Sequence, residues 1–190
     1  GGLAYSDTDS IFFNDGNIIV TGSGSINATG TLEQPIIIEG DRLEPEFDDV
    51  PSQWTGIRLL GGSQNNLFQH TTIKNSIIGI YADSSSSLKL EHTEIYNIGN
   101  SGIIGIGANI DADNCLIHNV YGQANVLLTF GGNYNFNYCT VANYEGGSES
   151  YALYLSNARC LNSSCTECEE LDLDANFTNC IFTGNSTDEI

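Results

Sequence analysis

Thr71-Thr72-Ile73-Lys74-Asn75 returns along the chain as Thr93-Glu94-Ile95-Tyr96-Asn97, Cys115-Leu116-Ile117-His118-Asn119 and Cys139-Thr140-Val141-Ala142-Asn143. Each copy reads small residue, any residue, β-branched apolar residue, any residue, Asn. Successive copies start 22, 22 and 24 residues apart. A fifth copy, Cys180-Ile181-Phe182-Thr183-Gly184-Asn185, starts 41 residues after the fourth and carries one more residue before its Asn. Three residues ahead of each Thr or Cys stands another core candidate: Phe68, Leu90, Ala112, Phe136 and Phe177. A period of this length suits a leucine-rich repeat or a β-helix, and Leu recurs at no fixed offset, so the β-helix is the reading that fits.

Each repeat then consists of two or three short strands joined by polar turns. Gly56-Ile57-Arg58-Leu59, Gly79-Ile80-Tyr81-Ala82 and Ser150-Tyr151-Ala152-Leu153-Tyr154-Leu155 supply a further strand per coil. Stacked coils set equivalent residues about 4.8 Å apart, so every inward position becomes a column along the axis. Ile73, Ile95, Ile117 and Val141 form one expected column, and Thr71, Thr93, Cys115, Cys139 and Cys180 another. Asn75, Asn97, Asn119 and Asn143 form an expected structural ladder, because Asn tolerates a left-handed turn and its amide bonds to its neighbours. The fold class is therefore all-β, a right-handed parallel β-helix with coils of about 22–24 residues.

Working outward, residues 11–40 alternate apolar and polar residues around Ile18, Val20, Ile26, Ile36 and Ile38 and read as the first one or two coils. Residues 41–53 break the alternation with two prolines and five acids and read as a protruding acidic loop. Residues 157–170 form a second, Cys-containing insertion, which accounts for the gap of 41. The whole chain, 1–190, reads as a single domain and part of a longer protein.

The balance of 24 acidic against 5 basic residues gives a formal net charge of −19. Phosphate binding needs clustered Lys and Arg, so nucleic acid is excluded as a partner. Anionic membrane surfaces are disfavoured for the same reason. No apolar run approaches the roughly 20 residues of a membrane span, so direct insertion is not expected. Divalent cations, cationic partners and neutral glycans remain, beside simple solubility.

The run Gly30-Thr31-Leu32-Glu33-Gln34-Pro35-Ile36-Ile37-Ile38-Glu39-Gly40-Asp41-Arg42-Leu43, followed by Gln53-Trp54-Thr55-Gly56-Ile57-Arg58-Leu59, resembles a large group of exported right-handed β-helix proteins of Bacteroidota. So do Ile77-Ile78-Gly79-Ile80 and the stretch from Gly131 to Tyr144. The resemblance covers most of residues 11–185. It implies a pectate-lyase-like solenoid at the extracellular or outer-membrane surface, often lipid-anchored, with any anchor outside these residues. It supplies a fold and a location but no reaction.

Candidate sites follow from strand geometry. Residues i and i+2 share a face. With Ile110 and Ala112 inward, Asp111 and Asp113 face solvent, flanked by Lys89 and Glu91 on one coil and Asn135 and Asn137 on the other. Asp172 and Asp174 are expected to repeat the pattern. Such an oxygen-rich strip suits Ca²⁺, a glycan, or two carboxylates in acid–base work; the plain alternative is a solvated sheet face. The loop acids Asp41, Glu44, Glu46, Asp48 and Asp49 are a second candidate calcium site. β-Helix polysaccharide lyases resemble one another in pairing calcium-binding acids with a Lys or Arg base. Lys89 is the base expected beside the strip, but neighbouring carboxylates favour its protonated form.

Four smaller readings complete the set. His70 and His92 share the position before the Thr column with Asn114, Tyr138 and Asn179, which favours a turn over a metal site. Cys160, Cys165 and Cys168 form a C-x4-C-x2-C cluster that reads as a loop disulfide with one Cys left over, zinc being the alternative. Tyr81, Phe130 and Tyr154 are candidate sugar-stacking aromatics on one strand column. A regular outward Thr column, needed for ice binding, is missing.

The leading expectation is a non-catalytic scaffold, adhesin-like or glycan-contacting module whose partner is a polysaccharide or another surface protein. A calcium-dependent polysaccharide lyase or hydrolase is the alternative. A self-assembling component, associating end to end where the repeat stops near Thr187-Asp188-Glu189-Ile190, is the third.

Overall fold

A computed structural model describes residues 3–5, 11–14, 16–42, 44–145, 150–162 and 164–185. The expected end of the repeat at 187–190 lies outside them. The strands stack as a three-sided parallel β-helix. A coil begins on a first sheet (Asn17–Val20, Gly56–Leu59, Ile78–Ala82, Ser101–Ile106, Ala124–Thr129, Tyr151–Ser156), where strand follows strand in parallel register. It crosses to a second sheet (Ile26–Thr29, Asn66–Gln69, Ser87–Glu91, Asn109–Asp113, Gly132–Asn137, Leu173–Thr178). It closes on a third (Ile36–Ile38, Thr71–Lys74, Glu94–Ile98, Leu116–Val120, Thr140–Asn143, Ile181–Gly184). Each sheet thus holds six parallel strands.

A single residue turns the chain from the second sheet to the third. His70, His92, Asn114, Tyr138 and Asn179 occupy that corner with φ of 46°, 49°, 52°, 54° and 54°. The left-handed backbone is what favours polar residues there. The His70 and His92 rings stack at 4.7 Å, and the Asn114 amide lies 2.6 Å from His92 Nδ1. These histidines serve a turn.

The inward columns match the repeat. Ile73, Ile95, Ile117 and Val141 are buried, as are Phe68, Leu90, Ala112 and Phe136. The Thr and Cys column has a specific cause. Thr71 Oγ1 donates to the Ala28 carbonyl and Thr93 Oγ1 to the Phe68 carbonyl, one coil earlier. Cys139 and Cys180 thiols take the same route to Ala112 and Phe136. Only a short side chain with a donor reaches a main-chain oxygen from this position, and burying the donor unpaired would cost stability.

The first sheet carries glycine where coils come closest. A Cβ on Gly79 would sit 2.3 Å from the Gly102 carbonyl oxygen. The next rung is Asn125, which is fully buried and donates to the Ile117 and Ala142 carbonyls.

Three features depart from the sequence reading. Residues 11–14 are not part of a coil: Ile11–Asn14 pairs antiparallel with Asn17–Val20, and Leu3–Tyr5 pairs antiparallel with Ile26–Thr29. They cover the outer edge of two sheets, the edges that would otherwise invite strand addition. The Asn ladder is only partly continuous. Asn119 donates to Asn97 Oδ1 at 3.4 Å, but Asn75 and Asn97 donate to Asp48 O and Asp49 Oδ1 of the acidic loop, and Asn143 donates to Ser150 O. Finally, Phe130 lies past the end of its strand, in a left-handed turn with φ 57°, and not in a strand column with Tyr81 and Tyr154. Among the described residues no helix is long and apolar enough to cross a membrane.

Candidate functional sites on two outward faces

The strip on the second sheet assembles by register. Lys89, Asp111 and Asn135 are direct partners, and so are Glu91, Asp113 and Asn137. Residues Asn109–Asp113 alternate exposed and buried, with both aspartates outward. Asp174 does not extend the Asp111 column. It pairs with Asn133, one column over, and Asp172 precedes the strand.

The strip is occupied with itself. Asn135 Nδ2 donates to Asp111 Oδ1 at 2.9 Å, and Asn176 Nδ2 donates to Asn135 Oδ1 at 3.3 Å. Asn133 donates to Asn109 Oδ1 at 3.1 Å. Lys89 Nζ pairs with Glu91, whose other oxygen accepts from Gln69. That hydrogen bond and charge raise the Lys89 pKa and lower that of Glu91. Both shifts keep the groups ionised, the opposite of what a proton-abstracting Lys requires.

The acidic loop is held down by a cation. Lys74, 8% exposed, pairs with Asp48 at 2.9 Å and Glu39 at 3.2 Å. Burial acts to lower its pKa, but the hydrogen bonds with Asp48 and Glu39 outweigh this and hold the ammonium well above the usual lysine range. Glu44 pairs with Arg42, and Asp49 accepts from Asn97. Among the described residues no three His, Cys, Asp or Glu side chains are grouped so as to hold a metal ion. Asp41, Glu44, Glu46, Asp48 and Asp49 therefore share no coordination centre here, and neither do the strip carboxylates. Lys74, Asn75 and Asn97 tie this exposed loop to the third sheet.

The strip borders a depression lined by Lys89, Asn109 and Asp111, and a second groove lies on the first sheet. Arg58, Tyr81, Ile104, Leu127 and Tyr154 are successive partners on its outward face. Ile104 and Leu127 point away from the core yet are 9% and 7% exposed, because Tyr81, Ile106 and Tyr151 pack around them. They floor a groove of about 530 Å³ whose lining includes Tyr81, Tyr154 and Phe130, with Gln123, Thr129 and Ser156 as polar groups. Guanidinium groups lie over two of its rings: Arg58 over Tyr81 at 5.2 Å and Arg159 over Phe130 at 4.1 Å. In a chain with 5 basic residues, two therefore stand at this groove. Burial raises the Tyr81 pKa, so its phenol stays neutral at ordinary pH.

Sequence reasoning named the three aromatics but missed the floor. The run Ser101–Ile106 is buried at five successive positions, so it offers no alternation from which to tell outward from inward. Arg159 reaches the groove from the second insertion. There Ala158–Cys160 and Cys168–Glu170 form an antiparallel hairpin, with a Cys160–Cys165 disulfide and a free, exposed Cys168.

A family model for the right handed beta helix region matches residues 55–190. No curated protein and no solved structure matches the chain.

Proposed function

We propose, from the premise that the chain belongs to the right-handed β-helix family, that it is a non-catalytic, exported module that contacts glycans through the groove on its first sheet. The observation that carries this reading is the pair Tyr81 and Tyr154 raised on either side of the Ile104–Leu127 floor, with polar groups at the rim. Sugar rings present apolar faces and hydroxyl edges. A trough with aromatic walls and a few placed donors is complementary to both, and mostly apolar concave sites with few polar groups are the usual form of a ligand site. The solenoid contributes rigidity, so the contact geometry is set before the ligand arrives. Such a surface, outside the cell, serves a scaffold or adhesin-like role.

The enzyme alternative, a calcium-dependent lyase or hydrolase on the strip, needs a positioned base, and Lys89 is held protonated by Glu91.

The test is a panel of neutral and uronate-containing polysaccharides, incubated with the protein with and without Ca²⁺ and resolved by size exclusion and affinity electrophoresis. Retention by at least one glycan, weakened about tenfold or more in Tyr81→Ala and Tyr154→Ala and unchanged in Asp111→Ala, is expected; tenfold corresponds to about 1.4 kcal/mol. Shortening of any polysaccharide that vanishes in Asp111→Ala or Lys89→Ala would establish an enzyme instead. No retention across the panel would sink the glycan reading.

A further inference from the structure

The insertion hairpin holds three exposed cysteines within one small unit, two joined and one free. Cys160 and Cys168 are direct cross-strand partners, although the disulfide runs from Cys160 to Cys165. The phase of the ladder shows how close they stand. Leu161 N donates to Glu167 O, and Leu171 N donates to Asn157 O. In an antiparallel pair, hydrogen-bonded and non-hydrogen-bonded partners alternate, so Cys160 and Cys168 form a non-hydrogen-bonded pair. Cα atoms of such pairs lie about 4.5 Å apart with side chains on one face, inside the range that a disulfide bridges. The existing Cys160–Cys165 bond spans a similar 4.8 Å between Cα atoms. The Cys168 thiol itself lies 3.7 Å from the Cys165 carbonyl oxygen, beside that disulfide.

We infer that this hairpin is a thiol–disulfide exchange site, in which Cys160 is the shared partner and the bond migrates between Cys165 and Cys168. The Cys168 thiolate attacks Cys160 Sγ. The Cys160–Cys168 bond forms as the Cys160–Cys165 bond breaks, and the Cys165 sulfur leaves as a thiolate. The proton that Cys168 gave up is taken by Cys165. One disulfide and one thiol stand on each side of the step, so no external oxidant or reductant enters. Both isomers keep a thiol at the surface, and this is the place where a small disulfide or a protein disulfide would react. The exchange also reaches the groove. Arg159, next to Cys160, lies on Phe130 and pairs with Glu169, next to Cys168, at 2.8 Å. Moving the bond to Cys168 ties those two strands together one rung from that contact. The inference does not depend on what the groove binds.

The experiment is thiol mapping of the intact, oxidised chain. Protein is held at pH 6, 7 or 8 for set times, quenched in acid, labelled with N-ethylmaleimide, cleaved after Glu167 and neighbouring sites, and mapped by mass spectrometry. Label that starts on Cys168 and accumulates on Cys165 is expected, with Cys160 unlabelled. The rate should climb steeply from pH 6 to pH 8, because the thiolate is the attacking species. It should be the same after tenfold dilution. Cys168→Ser should abolish label on Cys165 while leaving the Cys160–Cys165 bond. Label confined to Cys168 at every pH and time would overturn the inference. So would label on Cys160, or a rate that falls on dilution.

Discussion

The outward faces of the first and second sheets rest on the same strand spacing and the same inward columns, yet they are chemically opposite. On the first, Ile104 and Leu127 are outward and nearly buried, walled by tyrosines. On the second, Asp111 and Asn135 are outward, exposed and bonded to each other. The difference teaches that stacking by itself assigns no role to a face. On the second sheet, amides and carboxylates satisfy one another beside a polar depression lined by Lys89, Asn109 and Asp111. On the first, aliphatic residues nearly covered by their neighbours floor a groove with aromatic sides.

Replacing equivalent outward residues of one coil would break or sharpen this contrast most strongly. Leu127→Ala removes a side chain 7% exposed and is expected to destabilise the chain by about 2–3 kcal/mol. Asn135→Ala removes an exposed side chain whose partners can turn to water and should stay within about 0.5 kcal/mol. Urea denaturation of the two variants beside the parent gives both numbers. Equal losses would mean that the polar ladder stabilises the coil as much as the apolar floor does.

How much of this was legible in the sequence follows the same division. The strip was readable because Asn109–Asp113 alternates, so Asp111 and Asp113 had to face outward once Ile110 and Ala112 faced in. The spacing of 22 and 24 residues then fixed their neighbours in register. The groove was not readable, since a strand buried on both faces carries no period-two signal. Strand direction was equally silent: Ile11–Asn14 has the composition of any coil strand, and only the fold shows it to be antiparallel. Lys74 sat at a position that the repeat leaves free, so nothing local announced its pairing with Glu39 and Asp48 across the loop. The five loop acids read as a metal site for that reason. A sequence displays charge, but the cation that neutralises it arrives by tertiary contact.

The third sheet offers an intermediate case, because its outward face is covered in part by the acidic loop. Lys74→Met keeps the packing of the stem and deletes the ammonium that Asp48 and Glu39 share. A loss of about 1–2 kcal/mol is expected, the range for hydrogen bonds to charged groups once solvent exposure of Asp48 is allowed for. Faster proteolysis within residues 44–53 should accompany it. A stable variant with an unchanged cleavage pattern would show that Asn75 and Asn97 are enough to hold the loop.

The smallest effect tests whether a polar outward pair on the third sheet stabilises the coil at all. His118 Nε2 lies 3.0 Å from Glu94 Oε1, and its ring stacks on Tyr96. The Glu94 hydrogen bond raises the His118 pKa against the opposing effect of burial. The folded pKa is therefore above the unfolded value of about 6.5. Stability from this pair is fully present below about pH 6.5 and is lost as pH rises through the folded pKa. With both side chains partly exposed, it amounts to about 0.5 kcal/mol. Many other carboxylates titrate in this acidic chain, so the parent alone cannot isolate the pair. The comparison with Glu94→Gln does: the parent should exceed the variant at pH 6, and the gap should close by pH 9. A gap that stays constant across that window would mean that Glu94 acts on the coil through packing or main-chain contacts and not through the His118 proton. The His118–Glu94 pair would then contribute nothing measurable to holding its two coils together.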